Sequence, residues 1–292
     1  MDGTLVYDWV SEACFRTMRQ EMGATMAENG GATTSAKAET DLTAAVVRFL
    51  TPRPAPPTPR DLEMIDQGSP VVLDCGLAAT AWGEGPTVLL AHGWESRRTH
   101  WSAFVPALTA AGYRAVAIDA PAHGDSPGET SNMPLYARRM LDVGRQLGPL
   151  EGVVGHSFGA GAATMALAQG LEARRAVLIA GASTIMTYMN RWCRHNGVGE
   201  SQIPLFVRMV ADAVGQKPET FELTRAAAGL NVPALVMHDT TDDDVPVDDA
   251  YAMAAAWPGA RLHLTERFGH RRILVARPVV AEAVRFLAAR DA

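Results

Sequence analysis

The pentapeptide Gly155-His156-Ser157-Phe158-Gly159 carries the strongest chemical signal in the chain. It follows a short apolar run and precedes a stretch rich in alanine and glycine that ends at Gly170. A serine flanked in this way, between a strand and a helix, is the pattern of a nucleophile elbow. The sharp turn lifts the hydroxyl above the sheet, and the glycines let strand and helix approach without Cβ clashes. The first amides of the helix then face any negative charge that forms at the serine. The N–H of Phe158, next after the nucleophile, is one donor to such an oxyanion. A serine alone does little at neutral pH and needs a base and a group that orients it. Two downstream segments offer these groups. HDTTDDDVP, residues 238–246, brings Asp239, Asp242, Asp243 and Asp244 past one buried run, and RFGHRRIL, residues 267–274, brings His270 past the last strand candidate. Together these residue types could carry acyl transfer through a serine.

The elements that must position them alternate along the chain. Strand candidates lie at residues 71–75, 77–82, 87–91, 114–118, 152–154, 176–179, 234–237 and 261–264. Several are continuous apolar runs, as expected of strands buried on both faces. Helical patterns fall between them at 101–111, 135–147, 159–170 and 248–257, with a last helix at 278–290. This alternation predicts an α/β fold with a mostly parallel sheet flanked by helices. The stretch from 183 to 231 holds no strand candidate but has helical pieces at 187–195 and 204–214, and reads as a small helical lid insertion. Before the sheet, residues 1–60 read as an arm, with helices at 8–28 and 41–50, a flexible GGATTSAKA from Gly30, and an extended connector TPRPAPPTPR. The sheet-bearing domain is then residues 61–292.

Composition narrows the function classes. Of 292 residues, 48% are hydrophobic and 20% charged, which excludes a disordered chain. The net charge of −6, with no Lys/Arg run, gives no reason to expect nucleic acid or an anionic membrane as partner. No apolar stretch is long enough for a membrane span, and the acidic start does not read as a signal peptide. Cys14, Cys75 and Cys193 form no close pair, so free thiols and a cytoplasmic location are expected. His100, His195 and His263 have no metal-ligand spacing, and no phosphate or dinucleotide fingerprint appears. No metal or cofactor is expected. Oligomeric state stays open.

From about residue 73 onward the chain resembles an α/β-hydrolase. LLAHGW at 89–94, DAPAHGDSPG at 119–128, GHSFG at 155–159 and the pair HDTTDDDVP and FGH carry the likeness, in the family's order. The resemblance implies Ser157 as nucleophile, His270 as general base and Asp242 as the acid. It further implies the Trp94 N–H as the second oxyanion donor. The Trp94 indole either walls the acyl pocket or is a packed aromatic, and His156 either packs behind the elbow or lines the pocket. Family members often read H-G-x-x-D-x-x-V-P in the acid loop. This chain has Asp239 at the glycine, and Asp243 and Asp244 remain alternatives to Asp242. The implied activity is hydrolysis of carboxylic esters of small to medium acyl chain, with a small-molecule substrate. Lactone or C–C bond hydrolysis on the same triad, or a non-catalytic binding protein of this fold, are the alternatives.

Overall fold

Eight strands form one sheet: β1 (Ser69–Val71), β2 (Ala79–Trp82), β3 (Thr87–Ala91), β4 (Arg114–Ile118), β5 (Gly152–His156), β6 (Ala176–Ile179), β7 (Ala234–Asp239) and β8 (Arg261–Thr265). Their spatial order is β1-β2-β4-β3-β5-β6-β7-β8. The β1–β2 and β2–β4 pairs are antiparallel, and the others are parallel. From β3 the chain crosses to β4 on one side and then to β5 on the other. The order reverses there, and a crevice opens at the carboxyl ends of β3 and β5, where open α/β sheets bind ligands. The computed structural model describes residues 34–289, and of residues 34–41 the backbone only. The helix expected over 8–28 lies outside the described residues, as does Cys14.

The helices are α1 (Thr34–Leu50), α2 (Pro59–Asp66), α3 (Phe104–Ala110), α4 (Met133–Leu147), α5 (Phe158–Ala168), α6 (Ile185–His195), α7 (Ile203–Ala213), α8 (Leu223–Ala228), α9 (Val247–Ala256), α10 (Gly269–Arg272) and α11 (Arg277–Leu287). Side chains alternate along each strand, so the sheet has two apolar faces. One face takes Leu89 and Val116 and packs Tyr136, Met140, Ala163 and Met253 of α4, α5 and α9. The other takes Val88 and Leu90 and packs Phe104, Leu108, Val279 and Phe286 of α3 and α11. Each fully buried large side chain stabilises by about 1.5–3 kcal/mol.

The chain divides into two compact units. The larger holds the sheet and comprises Pro52–Ile185 with Glu222 onward. The smaller takes in Met186–Phe221 and the chain up to Thr51. Within it the Phe49 ring meets Tyr188, Trp192 and Phe206, with centroids 5.3–5.8 Å apart.

Local departures from the sequence reading have local causes. α1 begins at Thr34, inside the segment expected to be flexible. From there to Leu50 no glycine or proline interrupts the chain, so the helical pattern extends back. The connector's last residues start α2. Pro59 sits in the first turn, where its missing N–H costs nothing, and Thr58 caps the helix by exchanging hydrogen bonds with Asp61. Of the strand expected over 71–75 only Val71 joins the ladder, in β1, because residues 73–76 close a turn, with the Gly76 N–H donating to the Leu73 carbonyl and Gly76 at φ 76°. Leu73 and Leu77 are still buried in the core, but off the ladder.

Candidate active site

Ser157 stands between the end of β5 and the first residue of α5, at φ 52° and ψ −115°. A non-glycine residue pays for that conformation in strain, and it is the conformation that turns the side chain out above the sheet. The flanking glycines are sterically required. A Cβ on Gly155 would stand 2.6 Å from Ala160 Cα, and one on Gly159 would overlap the Ala91 carbonyl. The helix can therefore ride directly on the ends of β3 and β5.

The structure brings the three distant residues together. His270 Nε2 is 2.9 Å from Ser157 Oγ, and His270 Nδ1 is 2.8 Å from Asp242 Oδ2. An ionised carboxylate only accepts, so Nδ1 donates and Nε2 is left to accept the serine proton. The Asp242 side chain is 0% exposed. Its Oδ1 accepts the N–H groups of Asp244 (2.8 Å) and Val245 (2.9 Å). Burial pushes this carboxyl up, but the hydrogen bond and charge of His270, with those amides, outweigh it and hold it below the ordinary range. Asp243 and Asp244 are exposed, so the turn selects Asp242 among the three. The buried His238 Nε2 donates to the Val245 carbonyl at 2.9 Å and lies 3.4 Å from Asp242 Oδ2.

Trp94 and Phe158 flank the serine from the ends of β3 and β5. Among the described residues, neither backbone N–H meets an acceptor. Their rings meet edge to face at 5.2 Å, and the indole also meets His123 at 5.2 Å. The loop carrying Trp94 is pinned from below. His92 Nδ1 donates to the Gly93 carbonyl (2.7 Å), and its Nε2 accepts the Ala120 N–H (2.9 Å). That arrangement needs a neutral ring, and burial holds His92 well below the usual histidine range. On the far side, Glu95 sits at φ 54° and its carboxylate accepts the Arg53 N–H at 3.0 Å, while Arg97 donates to the Ala55 carbonyl.

His156 is buried and donates Nε2–H to the backbone carbonyl of His270 at 2.8 Å. Burial, then the neighbouring His270, push its pKa down to about 3. A Cβ on Gly93 would approach its Nδ1 to 2.9 Å, so glycine in the His92-Gly93 pair makes room for this ring. His156 thus packs behind the elbow, against the His270 backbone.

Other polar groups hold the loops. Asp119 is buried and accepts the N–H groups of Arg98 and Asp125. It also pairs with the Arg98 guanidinium, whose other nitrogens reach Thr80 and Asp125. No signal in the sequence pointed to Arg98. His123 is buried, its Nδ1 donates to the Pro121 carbonyl, and burial lowers its pKa to about 4. Arg272 donates to the carbonyls of Phe268 and Arg267. Among the described residues no three His, Cys, Asp or Glu side chains are grouped to hold a metal, and no helix is long and apolar enough to cross a membrane.

The sequence pattern of the Alpha/beta hydrolase family matches residues 88–283. Among curated proteins, a pimeloyl-(acyl-carrier protein) methyl ester esterase from Methylococcus capsulatus is 48% identical over 52 residues, 18% of this chain and 20% of that one. A non-heme haloperoxidase from Rhodococcus erythropolis is 34% identical over 110 residues, 36% of this chain and 40% of that one. The matches therefore span a fifth and two fifths of those relatives' lengths. An esterase from Exiguobacterium antarcticum superposes with a TM-score of 0.58 at 19% identity, covering 76% of this chain and all of that one. At that identity the likeness shows the fold.

Proposed function

The chain belongs to the alpha/beta hydrolase family and has its fold, and on that premise we propose that it is a serine hydrolase acting on carboxylic esters of small to medium acyl chain. The reading is carried by one observation: Ser157 Oγ, His270 Nε2, His270 Nδ1 and Asp242 Oδ2 form a continuous relay with contacts of 2.9 and 2.8 Å. His270 takes the proton as Ser157 Oγ attacks the ester carbonyl, and Asp242 stabilises the imidazolium. The N–H groups of Trp94 and Phe158 receive the oxyanion. One such donor is worth about 10²–10³ in rate. His270 then gives its proton to the leaving alcohol, and water, activated by the same ring, releases the acid from the acyl-enzyme.

The test is hydrolysis of p-nitrophenyl acetate, butyrate, octanoate and palmitate by the wild type and by Ser157→Ala. Wild-type turnover with an optimum at short or medium chains, and a loss on the order of 10⁴–10⁶ in kcat in the variant, is the expected result. A folded wild type that cleaves none of these esters would refute the esterase reading. Lactone and C–C substrates would then be tried.

A further inference from the structure

Asp239 stands where the family's acid loop usually carries glycine, and its carboxylate is fully buried. Oδ1 accepts the N–H of Thr241 at 3.0 Å and the Thr241 hydroxyl at 2.6 Å. Oδ2 accepts the Thr265 hydroxyl at 2.9 Å and the N–H of Phe268 at 3.0 Å. Thr241 immediately precedes Asp242, and Phe268 lies two residues before His270. One carboxylate therefore grips both the loop that carries the acid and the loop that carries the base. All these partners are uncharged donors, so salt bridging does not explain the buried charge. Burial pushes this carboxyl up, but hydrogen bonds from Thr241, Gly269, Phe268 and Thr265 prevail and hold it well below the ordinary range. It is a charged acceptor at working pH.

The backbone explains why a side-chain bridge is needed there. Asp239 and Thr265 face each other at the end of the β7–β8 ladder. The Thr240 N–H still donates to the Thr265 carbonyl at 2.8 Å, and among the described residues no backbone hydrogen bond joins the two segments beyond that point. The second of them then passes through two left-handed residues, Arg267 at φ 75° and Gly269 at φ 64°. A side-chain-bearing residue is strained in that region and keeps the conformation only where its surroundings over-determine it. The Asp239 carboxylate holds the residue between them, Phe268.

We propose that Asp239 is a positioning residue: it sets the separation of the two loops so that the His270–Asp242 and His270–Ser157 contacts are short at the same time. This rests on the triad reading above. In Asp239→Asn the amide nitrogen must face donors at one end, Thr241 or Phe268 and Thr265, and that end loses its grip. Thr265→Val removes one bridge, and Thr265→Ser keeps it.

The experiment measures p-nitrophenyl ester kinetics on the full chain, with active sites counted by a fluorophosphonate titrant and folding followed by circular dichroism. For Asp239→Asn, kcat per active site should fall on the order of 10- to 100-fold, the cost of about 1 Å of misplacement, with KM within about twofold. Thr265→Val should lose less, and Thr265→Ser should recover most of that loss. A residue that only stabilises the fold would lower the melting temperature and the number of titratable sites while leaving kcat per site unchanged. That result in Asp239→Asn and Thr265→Val would overturn the proposal. Should Asp239→Asn fail to fold, the Thr265 pair decides. Absence of Ser157-dependent turnover in the wild type would instead overturn the triad reading, and this proposal with it.

Discussion

Asp242→Asn is the substitution whose outcome the site geometry fixes most tightly. Asn and Asp have the same shape, so the side chain keeps its place, 0% exposed. Two backbone N–H groups, from Asp244 and Val245, point at Oδ1 at 2.8 and 2.9 Å. The amide oxygen must take that position, because a nitrogen there would face two donors. The amide nitrogen is then directed at His270 Nδ1, where it donates. The ring must carry its proton on Nε2, the atom 2.9 Å from Ser157 Oγ, and can no longer accept from the serine. Losing the correct tautomer costs about 10⁴ in a serine protease triad. At 1.36 kcal/mol per decade this is about 5 kcal/mol of lost transition-state stabilisation. The assay is kcat/KM on the best p-nitrophenyl ester for Asp242→Asn, Asp243→Asn and Asp244→Asn, with thermal unfolding alongside. A loss of three to four decades is expected for the first, roughly wild-type rates for the other two. Activity of Asp242→Asn within about tenfold of wild type, or the large loss appearing in a neighbour instead, would refute this account of the relay.

Two further outcomes concern folding. Gly159→Ala should yield little folded protein, because its Cβ would overlap the Ala91 carbonyl and backbone cannot move aside as a side-chain tip can; normal expression and melting would contradict the steric reading. Stability should fall as the pH drops. His123, lowered by burial from 6.5 to about 4, stays neutral in the fold while the unfolded chain binds a proton, so stability is lost from about pH 6.5 down to 4. Asp242, held below 3.8, adds a loss at still lower pH as it is protonated. His123→Gln should lower the urea midpoint at pH 8 but lose about 3 kcal/mol less between pH 6.5 and 4; equal pH slopes in both proteins would count against the assignment.

The parts legible in the sequence are those governed by neighbouring residues. The alternation of apolar runs and helical stretches gave the parallel sheet, because burial on two faces imposes that pattern. The elbow could be read because only glycine fits on both sides of Ser157. The capping exchange of Thr58 and Asp61 was equally local, and the density of prolines hid it. Other features depend on where the chain returns. Arg98 and Asp119 pair across 21 residues, and nothing near Arg98 distinguishes it from a surface arginine. Asp239 showed itself only as a departure from the family's loop, with no indication that its partners lie up to 29 residues away.

The sequence by itself determined the fold class, the strained turn at Ser157, and the two loops that bring Asp242 and His270. Steric limits and hydrophobic burial act within a few residues of the motif, so they leave a readable trace. Which of three adjacent carboxylates meets His270, that His156 meets the His270 backbone carbonyl, and that Asp239 accepts hydrogen bonds from both loops were decided by the tertiary structure. A hydrogen bond depends on tenths of an ångström and on angle, and for residues 28 apart in the chain those quantities exist only once β7 and β8 are paired.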